Sequence, residues 1–301
     1  MKLLNPLLVS GVILNTALLL GTPVSVGLSQ PPTLVAQAPT GESELNRGLQ
    51  LIRQGQLNEA IAAFRQATAL NPGLAPAYYN LGLALRQQGQ LQEAATAFYQ
   101  ATQAEPRFAL AYANLGAALL EGNNVSLAGD YLQRAIELDP DLGLAYYNLG
   151  LVRKQQGNWQ QAIDAFQRAI QLSPNAPEPP YHLGLVYQQQ RQQNLALRAF
   201  QQAISINPNY AEAHYSAGSV MFEQDNLDAA LEAFRRSAQA NSNYPNAYYG
   251  AGLVFLRQGK YADAQQVLQY ARDLFNAQGN AQWAASAQDL LQRAQSSVAP
   301  R

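Results

Sequence analysis

Residues 75–108, APAYYNLGLALRQQGQLQEAATAFYQATQAEPRF, carry two apolar patterns of helical spacing divided by a glycine. Tyr78, Leu81, Gly82 and Leu85 fall at i, i+3, i+4 and i+7, and Ala94, Phe98 and Ala101 at i, i+4 and i+7. Between them Gly89 offers a residue for which a left-handed turn costs little. Pro106, which lacks an N–H, closes the second pattern where it does least damage. The stretch reads as a helix-turn-helix hairpin.

Steps of 34 residues from Gly82 land on Gly48, Gly116, Gly150, Gly184, Gly218 and Gly252. Glycine is about 7% of an average chain, so six further hits in one register have a chance probability on the order of one in ten million. A second register holds Ala60, Ala94, Ala128, Ala162, Ala196, Ala230 and Ala264, with no insertion or deletion. The hairpin therefore recurs seven times, over 41–74, 75–108, 109–142, 143–176, 177–210, 211–244 and 245–278. Repeats stack, so the length of 301 residues reports copy number rather than domain count. A glycine inside a helix costs about 1 kcal/mol relative to alanine. Its recurrence predicts a close helix crossing in which the glycine faces the alanine of the second register.

Departures from the pattern mark weaker places. Pro72, Pro106, Pro140, Pro174 and Pro208 close their repeats in register, but Ser242 replaces the next and Pro245 follows three residues late. The turn glycine recurs as Gly55, Gly89, Gly157 and Gly259, gives way to Asn123 and Asp225, and becomes Arg191 in repeat five. With Gln193 also polar where other copies carry Leu57, Leu91 or Trp159, repeat five is expected to be the loosest hairpin.

The unit resembles the tetratricopeptide repeat (TPR). An aromatic, a Leu-Gly pair, an alanine, a second aromatic, a further alanine and a closing proline match as Tyr78, Leu81, Gly82, Ala94, Phe98, Ala101 and Pro106. The match spans 41–278. It implies an all-α, right-handed superhelical solenoid of seven helix-turn-helix TPR units, first helices lining the concave face and second helices outside. Beyond residue 278, Trp283, Ala287, Leu290, Leu291 and Ala294 share one helical face, so 281–295 is expected to cap the apolar end of the stack and 296–301 to fray. The alternative is an eighth first helix that recruits a partner.

At the other end, Lys2 precedes an apolar run over residues 7–20, and no acidic residue occurs before Glu42. Residues 1–29 therefore have the form of a secretory signal, with an uncleaved membrane anchor as the alternative. Ser25-Val26-Gly27 and Ala36-Gln37-Ala38 are both small-x-small cleavage candidates. Residues 30–40, with Pro31, Pro32 and Pro39, read as an extended linker. Export to a periplasm, lumen or extracellular space is the expectation.

Composition narrows the chemistry. A net charge of −1 with 13% charged residues supplies no field for nucleic acid. The absence of Cys removes thiolate catalysis, disulfides and thiolate metal sites. His182 and His214 occupy repeat positions held mostly by Asn or Tyr, and two ligands make a poor metal site. No P-loop, GxSxG, HExxH or GxGxxG is present. No catalytic residue, metal, cofactor or small-molecule substrate is expected.

Two columns on the face that the resemblance makes concave are the candidate partner-binding residues. The first is Asn46, Asn80, Asn114 and Asn148, replaced later by His182, Ser216 and Gly250. Amides both donate and accept, so a ladder of them suits an extended peptide backbone. In some TPR superhelices Asn at this position does so, while local hydrogen bonding is the structural alternative. The second column is Tyr79, Tyr147, Tyr181, Tyr215 and Tyr249, with Leu83, Leu151 and Leu185 one turn on. It offers an apolar groove with phenolic tips, or packing between repeats. The Lys/Arg clamp with which some TPR proteins hold a terminal carboxylate is missing, since Leu45, Leu49, Tyr79 and Leu83 stand there. A non-enzymatic scaffold that binds a peptide segment or partner protein is expected, with self-association through ends or convex face as the alternative.

Overall fold

The computed structural model describes residues 38–298. Its helices come in hairpins at the predicted period: α1 (Gly41–Arg53) with α2 (Leu57–Leu70), α3 (Ala75–Gln87) with α4 (Leu91–Ala104), and α5 (Ala109–Glu121) with α6 (Val125–Leu138). There follow α7 (Gly143–Gln155) with α8 (Trp159–Leu172), α9 (Glu178–Gln189) with α10 (Gln193–Ile206), and α11 (Ala211–Glu223) with α12 (Leu227–Ala240). The last pair, α13 (Pro245–Arg257) and α14 (Tyr261–Ala277), is followed by α15 (Ala281–Val298). Each helix packs on the next, and among the described residues there is no strand, so the fold is the all-helical solenoid the repeat implies.

The turn inside each hairpin needs one residue at positive φ. Gly55 takes +75° and Gly89 +77°, while Asn123, Arg191 and Asp225 take 64°, 59° and 59°. A side chain in that region costs roughly 1–2 kcal/mol, least for Asn and Asp, so Arg191 bears the largest cost. The hydrogen bonds do not differ. Gln56 N–H reaches the Leu51 carbonyl at 2.9 Å in repeat one, and Gln192 N–H reaches Tyr187 at 2.8 Å in repeat five. At the junction of repeats six and seven, Tyr244 N–H bonds the Asn241 carbonyl at 3.1 Å, as Tyr210 N–H does Asn207. Pro245 is the first residue of α13, where its missing N–H has no helical partner to lose.

The glycine register does something other than expected. A Cβ built on Gly82 would lie 2.7 Å from the Phe98 ring, and on Gly150 2.6 Å from the Phe166 ring. Glycine therefore faces first the large residue of the second helix, Phe or Leu132 or Leu268, four residues beyond the register alanine, although at Gly116 the Ala128 carbonyl also comes within 3.0 Å. The ring occupies the space a Cβ would need. The alanine register is nonetheless fully buried, at 0% exposure for Ala60, Ala94 and Ala162, and so are Phe64, Phe98, Phe166 and Phe200.

The stack is finished differently at its two ends. At the start, Thr40 and Ser43 form a capping box, Ser43 N–H donating to Thr40 Oγ1 at 3.1 Å and Thr40 N–H to Ser43 Oγ at 2.9 Å. At the far end, α15 buries Ala284, Ala287, Leu291 and Ala294 against Leu268, Ala271 and Phe275 of α14. The capping helix is thus present and runs to Val298, three residues past its expected end. No helix among the described residues is long and apolar enough to cross a membrane. The signal or anchor expected in residues 1–29 and most of the linker lie outside the described residues.

Candidate peptide-binding groove

The odd-numbered helices line one face of the stack, with α5 against α7, α7 against α9, α9 against α11 and α11 against α13. That face carries both predicted columns. Each tyrosine rests on a buried aromatic: Tyr79 on Phe98 at 5.8 Å, Tyr147 on Phe166 at 6.2 Å, Tyr181 on Phe200 at 5.9 Å and Tyr215 on Phe234 at 5.6 Å. Tyr249 instead meets Phe275 at 6.3 Å and Trp283 of α15 at 5.5 Å. All five are half-buried, their inner edges anchored in the core and their outer edges on the groove. Leu83 is exposed, and Leu151 and Leu185 are half-buried beside them.

Burial pushes the Tyr181 phenol up to about 12, against a hydrogen bond with Ser216, and Glu212 adds to the rise. It raises Tyr147 further, with the Glu178 carboxylate contributing. These hydroxyls stay protonated at neutral pH, so the groove presents aromatic faces with neutral polar tips.

The asparagine column is committed mainly to the protein itself. Asn80 Nδ2 donates to the Pro76 carbonyl at 2.7 Å, Asn114 to Leu110 at 2.9 Å and Asn148 to Leu144 at 3.0 Å, each one turn back on its own helix. Asn114 and Asn148 are buried, whereas Asn46 is exposed. Asn114 Nδ2 also donates to the Tyr79 hydroxyl at 3.3 Å, and its oxygen accepts from Arg86 at 3.4 Å. Arg86 Nε in turn reaches both Glu121 carboxylate oxygens at 3.1 Å. Asn114 thus ties repeats two and three together and orients Tyr79, while Asn80 and Asn148 serve their own helices.

His182 and His214 serve separate local contacts. His214, buried, places Nε2 2.9 Å from the Pro208 carbonyl. His182 stacks on Phe166 at 6.0 Å and receives Lys154 Nζ on its Nδ1 at 3.2 Å. Burial and the Lys154 cation hold His182 well below its ordinary range, and burial lowers Lys154 as well. A neutral imidazole accepting from an ammonium, which can only donate, fits both shifts. Among the described residues no cluster of three or more His, Cys, Asp or Glu could hold a metal ion.

Three groove features escaped the sequence reading. Phe108, Tyr210 and Tyr244, each the last residue of its repeat, cover the tyrosine column: Tyr79 meets Phe108 at 5.0 Å, Tyr181 meets Tyr210 at 4.9 Å and Tyr215 meets Tyr244 at 5.7 Å. Their shared register, ending each repeat one position before the next helix, was the available signal. The cations Arg86 and Lys154 also share a register, one turn beyond Leu83 and Leu151. Finally, a pocket of about 520 Å³ opens between α9, α11 and α13.

Comparison with known proteins agrees with the stacked helical hairpins. Among solved structures, the chain resembles the Cut9–Hcn1 hetero-tetramer of the APC/C, with a TM-score of 0.64 and 22% identity over 73% of its length. It spans only 44% of that longer chain. A tetratricopeptide repeat protein from Parabacteroides merdae aligns over 85% of this chain and 98% of its own, with a TM-score of 0.62 and 18% identity. YrrB, described as a TPR protein with an unusual peptide-binding site, is 28% identical over 64% of this chain and 99% of its own, with a TM-score of 0.51. No curated protein matches the chain in sequence. One family profile described as tetratricopeptide repeat matches residues 45–106, 94–143 and 181–245, and a second matches 143–176. By its profile matches and its stacked hairpins, the chain belongs to the tetratricopeptide repeat family.

Proposed function

We propose that this protein is a non-enzymatic scaffold that acts after export and holds an extended segment of a partner protein along the face of its odd-numbered helices. The observation that carries the reading is the column Tyr79, Tyr147, Tyr181, Tyr215 and Tyr249, interrupted at Ala113 in repeat three, with Leu83, Leu151 and Leu185, resting on buried rings and left partly exposed. Apolar faces spaced by one repeat suit a ligand that adds a small contact at each step, so affinity is spread over the array. YrrB, whose own description includes a peptide-binding site, supports a peptide as ligand class. Export rests on the sequence of residues 1–29. Self-association through the C-terminal end has less support, because α15 already covers the apolar end of α14.

The test is affinity capture from the exported fraction with Leu83, Leu151 and Leu185 changed together to Gln. Leu83 is exposed and Leu151 and Leu185 pack only in part on the core, so the variant should keep its helical content with a modestly lowered melt. Capture of the partner is expected to fall about tenfold or more, the loss of a few contacts of modest size. Undiminished capture by the folded variant would remove the groove from the account.

A further inference from the structure

The pocket between α9, α11 and α13 exists because side chains are missing at three positions of two columns around one point. Where repeats two to four carry Asn80, Asn114 and Asn148, repeats six and seven carry Ser216 and Gly250. Where repeats two, four and five carry Leu83, Leu151 and Leu185, repeat six carries Ser219. All three small residues line the resulting space of about 520 Å³. Its walls include the rings of Tyr181, Tyr215 and Tyr244, with Tyr215 and Tyr244 edge to face at 87°.

The only charge among the residues lining this space is negative. Glu223 lines it and is held by Gln193 Nε2 at 3.0 Å, a neutral partner that leaves its charge intact. No Lys, Arg or His is among the lining residues. The nearby Arg257 is turned to Asp225 at 3.1 Å and over the Phe222 ring. A second carboxylate, Glu212 in the first turn of α11, lies outside the lining and adds, with the neighbouring phenols, to the rise that burial gives Tyr244. Aromatic faces attract a cation through their quadrupoles, and a carboxylate at the rim adds Coulomb attraction.

We propose that this pocket takes a Lys or Arg side chain of the segment bound in the groove. The proposal rests on the peptide-binding reading above and gives it a position and a charge. On the earlier part of the same face cations stand at the groove instead, Arg86 paired with Glu121 and Lys154 against His182, which disfavours the same side chain there.

The experiment uses the full chain and a set of fluorescent dodecapeptides with a fixed frame of alternating Leu and Ser and one central position set to Lys, Arg, norleucine or Glu. Lys and Arg peptides are expected to bind about tenfold tighter than the norleucine peptide and the Glu peptide weakest. In a Glu212→Gln, Glu223→Gln double variant, isosteric and on the surface, that preference should vanish while the norleucine peptide binds as before. Equal binding of Lys, Arg and norleucine peptides, or a preference that survives in the double variant, overturns the pocket assignment and leaves the groove reading standing. If no peptide of the set binds, or if binding is unaffected by the Leu83, Leu151 and Leu185 change to Gln, the groove reading fails and the pocket assignment falls with it.

Discussion

Phe166→Ala is expected to destabilise the stack by about 3–5 kcal/mol, the usual cost of removing a fully buried ring whose site cannot collapse. The ring is 0% exposed, lies over the backbone of Gly150, and is stacked on His182 with Tyr147 at its edge. It therefore joins repeats four and five as well as the two helices of its own hairpin. In a linear array such a loss weakens both the hairpin and its interface with the next, so the unfolding transition should also broaden. Phe166→Leu should cost much less, because Leu132 and Leu268 fill the same place over Gly116 and Gly252. Chemical denaturation of the two variants beside the parent measures both. Equal losses for Ala and Leu would show that the ring is not what fills the crossing.

The converse change, Gly150→Leu, is expected to cost about 1–3 kcal/mol or more by overpacking. A Cβ there already falls 2.6 Å from two atoms of the Phe166 ring, and the ring is buried too deeply to move aside. The same leucine placed at Gly73, which has only the Asn71 side chain within 4 Å, should cost much less and serves as the control. Thermal melts in which Gly150→Leu matches the parent would contradict the packing described for the glycine register.

These two residues also show how far the sequence could be read. A fixed period establishes that position 150 and its equivalents meet the second helix in the same way each time. It does not fix the azimuth, and Ala162 and Phe166 are four apart on one face, so either was a reasonable opposite number. The structure gives the contact to the ring, since an aromatic filling the absent Cβ buries more surface than an alanine could. The hairpins and the capping helix were legible because each rests on periodicity and punctuation within the chain. The hydrogen bonds of Asn80, Asn114 and Asn148 were not, because an amide one turn past a carbonyl can turn back to its helix or out to a ligand with equal ease in sequence. The pocket was hidden for another reason. Ser216 and Gly250 look like lapses in the asparagine column and Ser219 like one in the leucine column, and only the side-by-side packing of α9, α11 and α13 brings the three to one point.

The most direct measurement is site-specific photo-crosslinking of the partner captured from the exported fraction. A benzoylphenylalanine is placed at Leu151 or Leu185 on the odd-helix face, or at the exposed Leu127 or Leu195 on α6 and α10. The groove account predicts crosslinked partner from Leu151 and Leu185 and little from Leu127 and Leu195. Crosslinks confined to Leu127 and Leu195 would contradict it.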